Sequence, residues 1–197
     1  MASYGLTTTV PPTDYPLSVE EAKLHLRIDH DEEYEAVADL ISAATQATEK
    51  YCSQRWIQQT LRLTLNEWPC DGVIRIPVGP VQSISSIQYV DLQGTLQTLA
   101  TSGYQQWLEA SPAIIAPASG QSWPSLQTGT LAPIRIVFVA GYGAKVNVPG
   151  DAKVAMKLCL THWYENRGDG KDPHAGVRSG IPPAAIRFLD LLDIGDY

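Results

Sequence analysis

The chain has 197 residues, 44% hydrophobic and 18% charged, which suits a globular protein with a sizeable core rather than a disordered one. A formal charge of -7 argues against a phosphate-gripping surface, and no apolar run approaches the roughly 18 residues of a membrane span. The first twelve residues lack the basic start and apolar stretch of a signal peptide, so intracellular synthesis, in the cytoplasm, is expected.

The acidity is unevenly placed. Residues 1–56 hold ten carboxylates against four basic side chains, residues 57–145 hold four of each, and residues 146–197 hold seven against six. Asp29, Asp31, Glu32, Glu33, Glu35 and Asp39 crowd together in the first part. Such a surface repels DNA, faces a basic partner, or keeps the protein soluble. Cys52, Cys70 and Cys159 are scattered, odd in number and form no CxxC pair. They are expected to be small buried apolar residues rather than disulfide or zinc ligands.

The first helix signal is Ser18-Val19-Glu20-Glu21, where Ser18 caps and Glu21 completes a capping box. That helix is short, to about Arg27, and Asp29-His30-Asp31 breaks it. A longer helix is predicted from about Glu32 to Ser53, because Tyr34, Val37, Ile41, Ala44, Thr48 and Tyr51 recur at spacings of three and four.

From residue 57 the period changes to two. Leu61, Leu63 and Leu65 alternate with polar residues, Val73–Ile76 and Ile84–Val90 follow, and Asp91-Leu92-Gln93-Gly94 turns the chain into Thr95–Leu99 as a hairpin. Ile134–Val139 closes this stretch as an apolar strand. Residues 57–145 therefore read as a mostly antiparallel β insertion with proline-rich loops. Helical spacing returns after Pro149, with Val154, Ala155, Leu158, Cys159, His162 and Trp163 on one face and Trp163 as a core anchor. A glycine-rich polar stretch, residues 168–181, is expected to act as a tether. Pro182-Pro183 then starts a last helix with Ile186, Phe188, Leu189, Leu191 and Leu192, more apolar surface than one face needs. It either caps its own bundle or docks elsewhere.

The expected fold class is α+β, a small bundle of N- and C-terminal helices with the β insertion between them. The chain reads as a single domain, 1–197, with a helical part at 14–56 plus 146–197.

Catalytic chemistry finds no support in the residues. His25 and His30 beside Asp29 and Asp31 match no calcium or zinc pattern, and read as solvated residues at a helix break. His162 reads as a core histidine and His174 as a loop residue. Ala140-Gly141-Tyr142-Gly143 lacks the lysine and following helix of a phosphate loop, and is explained as a strand exit needing positive φ. No GxSxG is present. Catalytic residues, cofactor and metal are each expected to be none. Trp107 and Trp123, in proline-rich loops, are expected to cover the β core. The alternative is that they mark a β-rich peptide- or glycan-binding module of a virion or cell-surface assembly.

Several stretches, in order, resemble the head–tail connector (adaptor) family of tailed bacteriophages and gene transfer particles. They are Leu17–Asp29 (LSVEEAKLHLRID), Ile41–Ala44 running to Glu49-Lys50-Tyr51, Ile76–Val81 with Ile84, Ile87, Tyr89, Asp91 and Gly94, Trp123-Pro124, Ala140–Gly143, Val148-Pro149 and His162–Arg167 (HWYENR). Together they span about residues 15 to 192. The resemblance implies a non-enzymatic structural subunit of a closed ring of about twelve copies at the head–tail junction of a virion. Its implied partners are the portal protein, a tail-side completion or terminator protein, and double-stranded DNA that passes without specific binding; no membrane is implied. Glu165, Arg167, Arg187, Phe188, Leu191 and Leu192 are candidates for the subunit or portal interface, and Asp29, Asp31, Glu32, Glu33 and Glu35 for a channel-facing acidic surface.

Overall fold

The structure is a computed structural model that describes residues 4–166 and 180–194. It divides into two compact units: residues 13–57 with 142–194, and residues 4–12 with 58–141. The fold class is α+β as expected.

The first unit is helical. Ser18 caps α1 (Val19–Leu26), its hydroxyl accepting from the Glu21 N–H at 3.2 Å while the Glu21 carboxylate accepts from the Ser18 N–H at 2.8 Å. Arg27 ends the helix in the left-handed conformation, φ 58°. α2 (Tyr34–Tyr51) buries Val37, Ile41, Ala44 and Thr48, four of the six stripe residues, while Tyr34 lies exposed at its start. α3 (Gly150–Glu165) buries Ala152, Ala155, Met156, Cys159 and Leu160. The buried face is therefore rotated from the sequence reading: Val154 is exposed and His162 half-buried, because Met156 and Leu160 take the inner positions. α4 (Pro183–Leu189) begins on a proline, whose missing N–H costs nothing in a first turn.

The largest fully buried side chain of this unit is Trp56, just beyond α2, rather than Trp163. Trp163 is only partly buried against the core, and its indole N–H donates to the Gly180 carbonyl at 2.9 Å. Tyr142 stacks on Trp56 at 6.1 Å between ring centroids and donates its hydroxyl to Gln54 Oε1 at 2.6 Å. Gly141 (φ 115°) and Gly143 (φ 94°) bracket that tyrosine, so the AGYG stretch is a strand exit with positive φ.

The second unit is all β, and every pairing in it is antiparallel. Its strands are β1 (Tyr4–Val10), β2 (Gln59–Leu65), β3 (Ile74–Arg75), β4 (Val81–Val90), β5 (Leu96–Thr98), β6 (Tyr104–Trp107), β7 (Ile114–Pro117) and β8 (Ile134–Ala140). A five-stranded sheet runs β1-β2-β8-β4-β5 and a three-stranded sheet runs β3-β7-β6. Leu61, Leu63 and Leu65 of β2 and Ile134, Ile136 and Phe138 of β8 point to one side, as a period of two requires, and join Ile74, Ile76, Ile87 and Ile115 in one core. The β4–β5 hairpin closes as expected, with Asp91 Oδ1 accepting from the N–H groups of Gln93 (3.0 Å) and Thr95 (2.9 Å). β1 is an element the sequence reading did not foresee.

Candidate functional site

The C-terminal candidates are held on the helical unit's own core. Ala185 and Leu189 of α4 are fully buried, with Ile181 just before them. The Leu189 carbonyl accepts from Cys52 Sγ at 3.5 Å, and the Ile194 N–H donates to the Cys52 carbonyl at 3.4 Å. Gln54 Nε2 donates to the Leu192 carbonyl. Tyr51 donates its hydroxyl to Asp190 at 2.7 Å, and that hydrogen bond, with burial, pushes the phenol up to about 12. The segment from Ile181 to Ile194 is thus tied to the end of α2. Phe188 and Leu192 are partly buried against this core, whereas Arg187 is exposed and Leu191 is 75% exposed. Glu165, at the end of α3, is exposed as well. Arg167, His174 and most of the expected tether lie outside the described residues.

The acidic candidates lie between α1 and α2 and in the first turn of α2. Asp29, Asp31, Glu32 and Glu35 are exposed. Glu33 is half-buried and accepts from the Tyr164 hydroxyl at 2.5 Å, so it also fastens α2 to α3. Asp31 pairs with Lys23 Nζ at 2.5 Å, and the hydrogen bond and charge of that lysine hold its carboxyl below the usual range. His25, exposed on α1, lies 3.0 Å from the Thr161 hydroxyl of α3 and is not at the helix break. Among the described residues no group of three or more His, Cys, Asp or Glu is placed to hold a metal ion, and no helix is long and apolar enough to cross a membrane.

In the β unit, Trp123 packs on the core and stacks on Trp68 at 4.5 Å and 9°. Its indole N–H donates to the Gly72 carbonyl at 2.9 Å, and that of Trp68 to the Pro124 carbonyl at 2.8 Å. Both polar edges are used within the unit, which leaves little for a peptide or sugar to recognise. Trp107 departs from expectation. It is 62% exposed, because β6 is an edge strand and its residues Gln105–Trp107 face solvent. Cys70 departs too: it sits in an exposed turn, while Cys52 and Cys159 are buried, and burial pushes each of those two thiols up to about 12.

Comparison with known proteins gives this arrangement its class. Residues 16–102 match the model of the phage gp6-like head–tail connector protein family. A chain in the neck of an empty GTA particle computed with C6 symmetry is 25% identical, with a TM-score of 0.75 over 99% of this chain and 97% of that one. A chain in the virion of a native gene transfer agent particle has a TM-score of 0.74 at 23% identity, over 98% of this chain and 96% of that one. A chain in the neck of a native GTA particle computed with C12 symmetry gives 0.72 at 24%, over 99% and 97%. No curated protein matches. The resemblance read from the residues therefore holds: the family match and the likeness to neck subunits support a structural connector of the head–tail junction.

Proposed function

We propose that the chain assembles as a ring of about twelve copies in the neck of a phage-like particle, docked beneath the portal protein and presenting a platform to a tail-side completion or terminator protein. The observation that carries this reading is the likeness over 99% of the chain to a subunit of a neck computed with C6 symmetry. The role is mechanical: it needs no cofactor and no catalytic group, only surfaces that close a ring and a lumen that DNA does not stick to.

Asp29, Asp31, Glu32, Glu33 and Glu35 suit the lumen, because carboxylates at the wall raise the free energy of phosphates close to it and so favour sliding over adhesion. The exposure of four of them supports that assignment. Arg187 and Leu191, with Glu165, are the interface candidates whose side chains are exposed; Phe188 and Leu192 support α4 from below. Negative-stain microscopy of the chain mixed with its cognate portal tests the reading. Rings coaxial with the portal are expected, and a chain that stays monomeric beside assembled portals would refute it.

A further inference from the structure

The two faces of the five-stranded sheet differ in kind. One carries Leu61, Leu63, Ile134 and Ile136 into the core of the β unit. The other carries the alternate residues of the same strands, among them Arg62 on β2 and Arg135 on β8. In the β2–β8 ladder Arg62 stands opposite Val137 and Arg135 opposite Thr64, so the two arginines are diagonal neighbours on one face. Diagonal Cβ atoms lie about 7–8 Å apart, a gap that two such long side chains can bridge. On their other flanks Arg62 has Thr7 of β1 and Arg135 has Gln88 of β4. None of these cross-strand neighbours is a carboxylate.

Both guanidinium groups lack an anion. Among the described residues the ion pairs are Lys23–Asp31, Arg55–Glu49, Arg75–Asp71 and Lys145–Glu21, and neither Arg62 nor Arg135 is in one. Arg135 is exposed, whereas Arg62 is half-buried. The Arg62 Nε is the one side-chain nitrogen or oxygen among the described residues that is buried without a hydrogen-bond partner. A buried donor left unpaired costs free energy that an incoming acceptor recovers. Two neighbouring cations also repel each other, and an anion placed between them removes that cost as well.

We propose that Arg62 and Arg135 form a carboxylate-binding pair, on which an acidic segment of another polypeptide docks. The planar fork of a guanidinium matches a carboxylate through two parallel hydrogen bonds. When the Arg62 side chain turns outward to make them, its orphaned Nε–H gains an acceptor. The Thr7 hydroxyl and the Gln88 amide stand beside the pair as further donors. Duplex DNA is the poorer fit, because rows of cations hold a duplex and two arginines on a chain of charge -7 do not make a row. This surface is separate from the proposed ring contacts and does not depend on them.

Hexaglutamate is the probe, hexaglutamine its neutral match and a short DNA duplex the competing anion, each titrated into the full chain at low salt by isothermal calorimetry. Hexaglutamate is expected to bind, and Arg135→Gln and Arg62→Met are each expected to weaken it by about tenfold or more. Arg62→Met removes the orphaned donor and keeps the stem, so its melting temperature should stay unchanged or rise while binding falls. Arg75→Gln is the control and should bind like the parent, because Arg75 is already paired with Asp71 at 2.7 Å. The proposal is overturned if hexaglutamate does not bind, if hexaglutamine binds as well, or if the duplex binds more tightly. Equal losses from Arg75→Gln and Arg135→Gln, or an Arg62→Met variant that melts earlier yet binds normally, would overturn it too. Ring formation with the portal bears on the proposed function alone.

Discussion

The Trp56 indole N–H donates to the Thr48 hydroxyl over 2.9 Å, and that hydroxyl donates in turn to the Ala44 carbonyl at 2.8 Å. Both side chains are fully buried, so the short chain of hydrogen bonds fixes the segment after α2 onto the helix it has just left. Trp56→Ala is expected to destabilise the protein by about 3–5 kcal/mol, through the cavity it opens. Thr48→Val keeps the shape but strands the indole N–H, at a cost of about 1–3 kcal/mol. Urea denaturation followed by circular dichroism measures both, and an unchanged Thr48→Val midpoint would show that the hydrogen bond contributes nothing.

Two carboxylates of the helical unit give opposite pH dependences. Glu49 accepts from the Trp56 backbone N–H at 2.8 Å, yet burial dominates and raises its pKa. The folded state then holds the proton more tightly than the unfolded chain, so this group's contribution falls as pH rises from the unfolded value, 4.5, through the folded one. Glu21 is lowered by the hydrogen bond from Lys145, with the Ser18 N–H adding to it. Its contribution is present above the unfolded pKa and is lost as pH falls through the folded one. Glu49→Gln should therefore leave stability at pH 7 unchanged or raised, and Glu21→Gln should reduce the loss seen on acidification. Thermal melts between pH 3 and pH 8 distinguish the two, and parallel profiles would contradict the assignment.

The C-terminal helix divides into a face that folds and a face that is free. Leu189→Ala removes a fully buried side chain and should cost about 2–5 kcal/mol. Deleting residues 180–194 should destabilise the helical unit rather than leave it intact, because Ile181, Ala185 and Leu189 belong to its core. Arg187→Glu and Leu191→Ser should change the melting temperature little and weaken attachment to portal-bearing heads. Normal attachment by both surface variants would remove this end from the interface.

The tryptophans of the β unit should separate in the same way. Trp123→Ala breaks the 4.5 Å stack with Trp68 and its bond to Gly72, and should cost about 3–5 kcal/mol. Trp107→Ala, at an exposed edge position, should fall within about 0.5 kcal/mol of the parent. Denaturant titration of the pair checks this, and a large loss from Trp107→Ala would mean that β6 packs against something.

What could be read from the residues was local. The Ser18–Glu21 box, the α2 stripe, the alternation of Leu61, Leu63 and Leu65 and the Asp91–Gly94 turn each advertise themselves within one continuous stretch of chain, and the structure has each of them, the stripe through its four buried residues Val37, Ile41, Ala44 and Thr48. β1 was hidden because Thr7-Thr8-Thr9 has no alternation, and its pairing, Leu6 with Leu63, joins positions far apart in sequence. Trp56 was missed as an anchor because it follows a helix end, where periodicity gives no inward direction. The interior face of α3 was misjudged for a related reason: apolar residues occupy both sides of that helix, so spacing alone does not choose between Val154 and Met156. The surfaces that meet other molecules leave no periodic trace at all, and their assignment rests on exposure together with family likeness.

The distribution of the three thiols has a practical consequence. Cys52 and Cys159 are buried, and with pKa values pushed up to about 12 they stay protonated and unreactive at neutral pH. Cys70 stands in solvent on the β unit. A maleimide dye or gold label added to the native protein will therefore mark one position per copy, without any engineered residue. In an assembled ring those marks become a regular circle of reporters whose number and radius can be read directly from images.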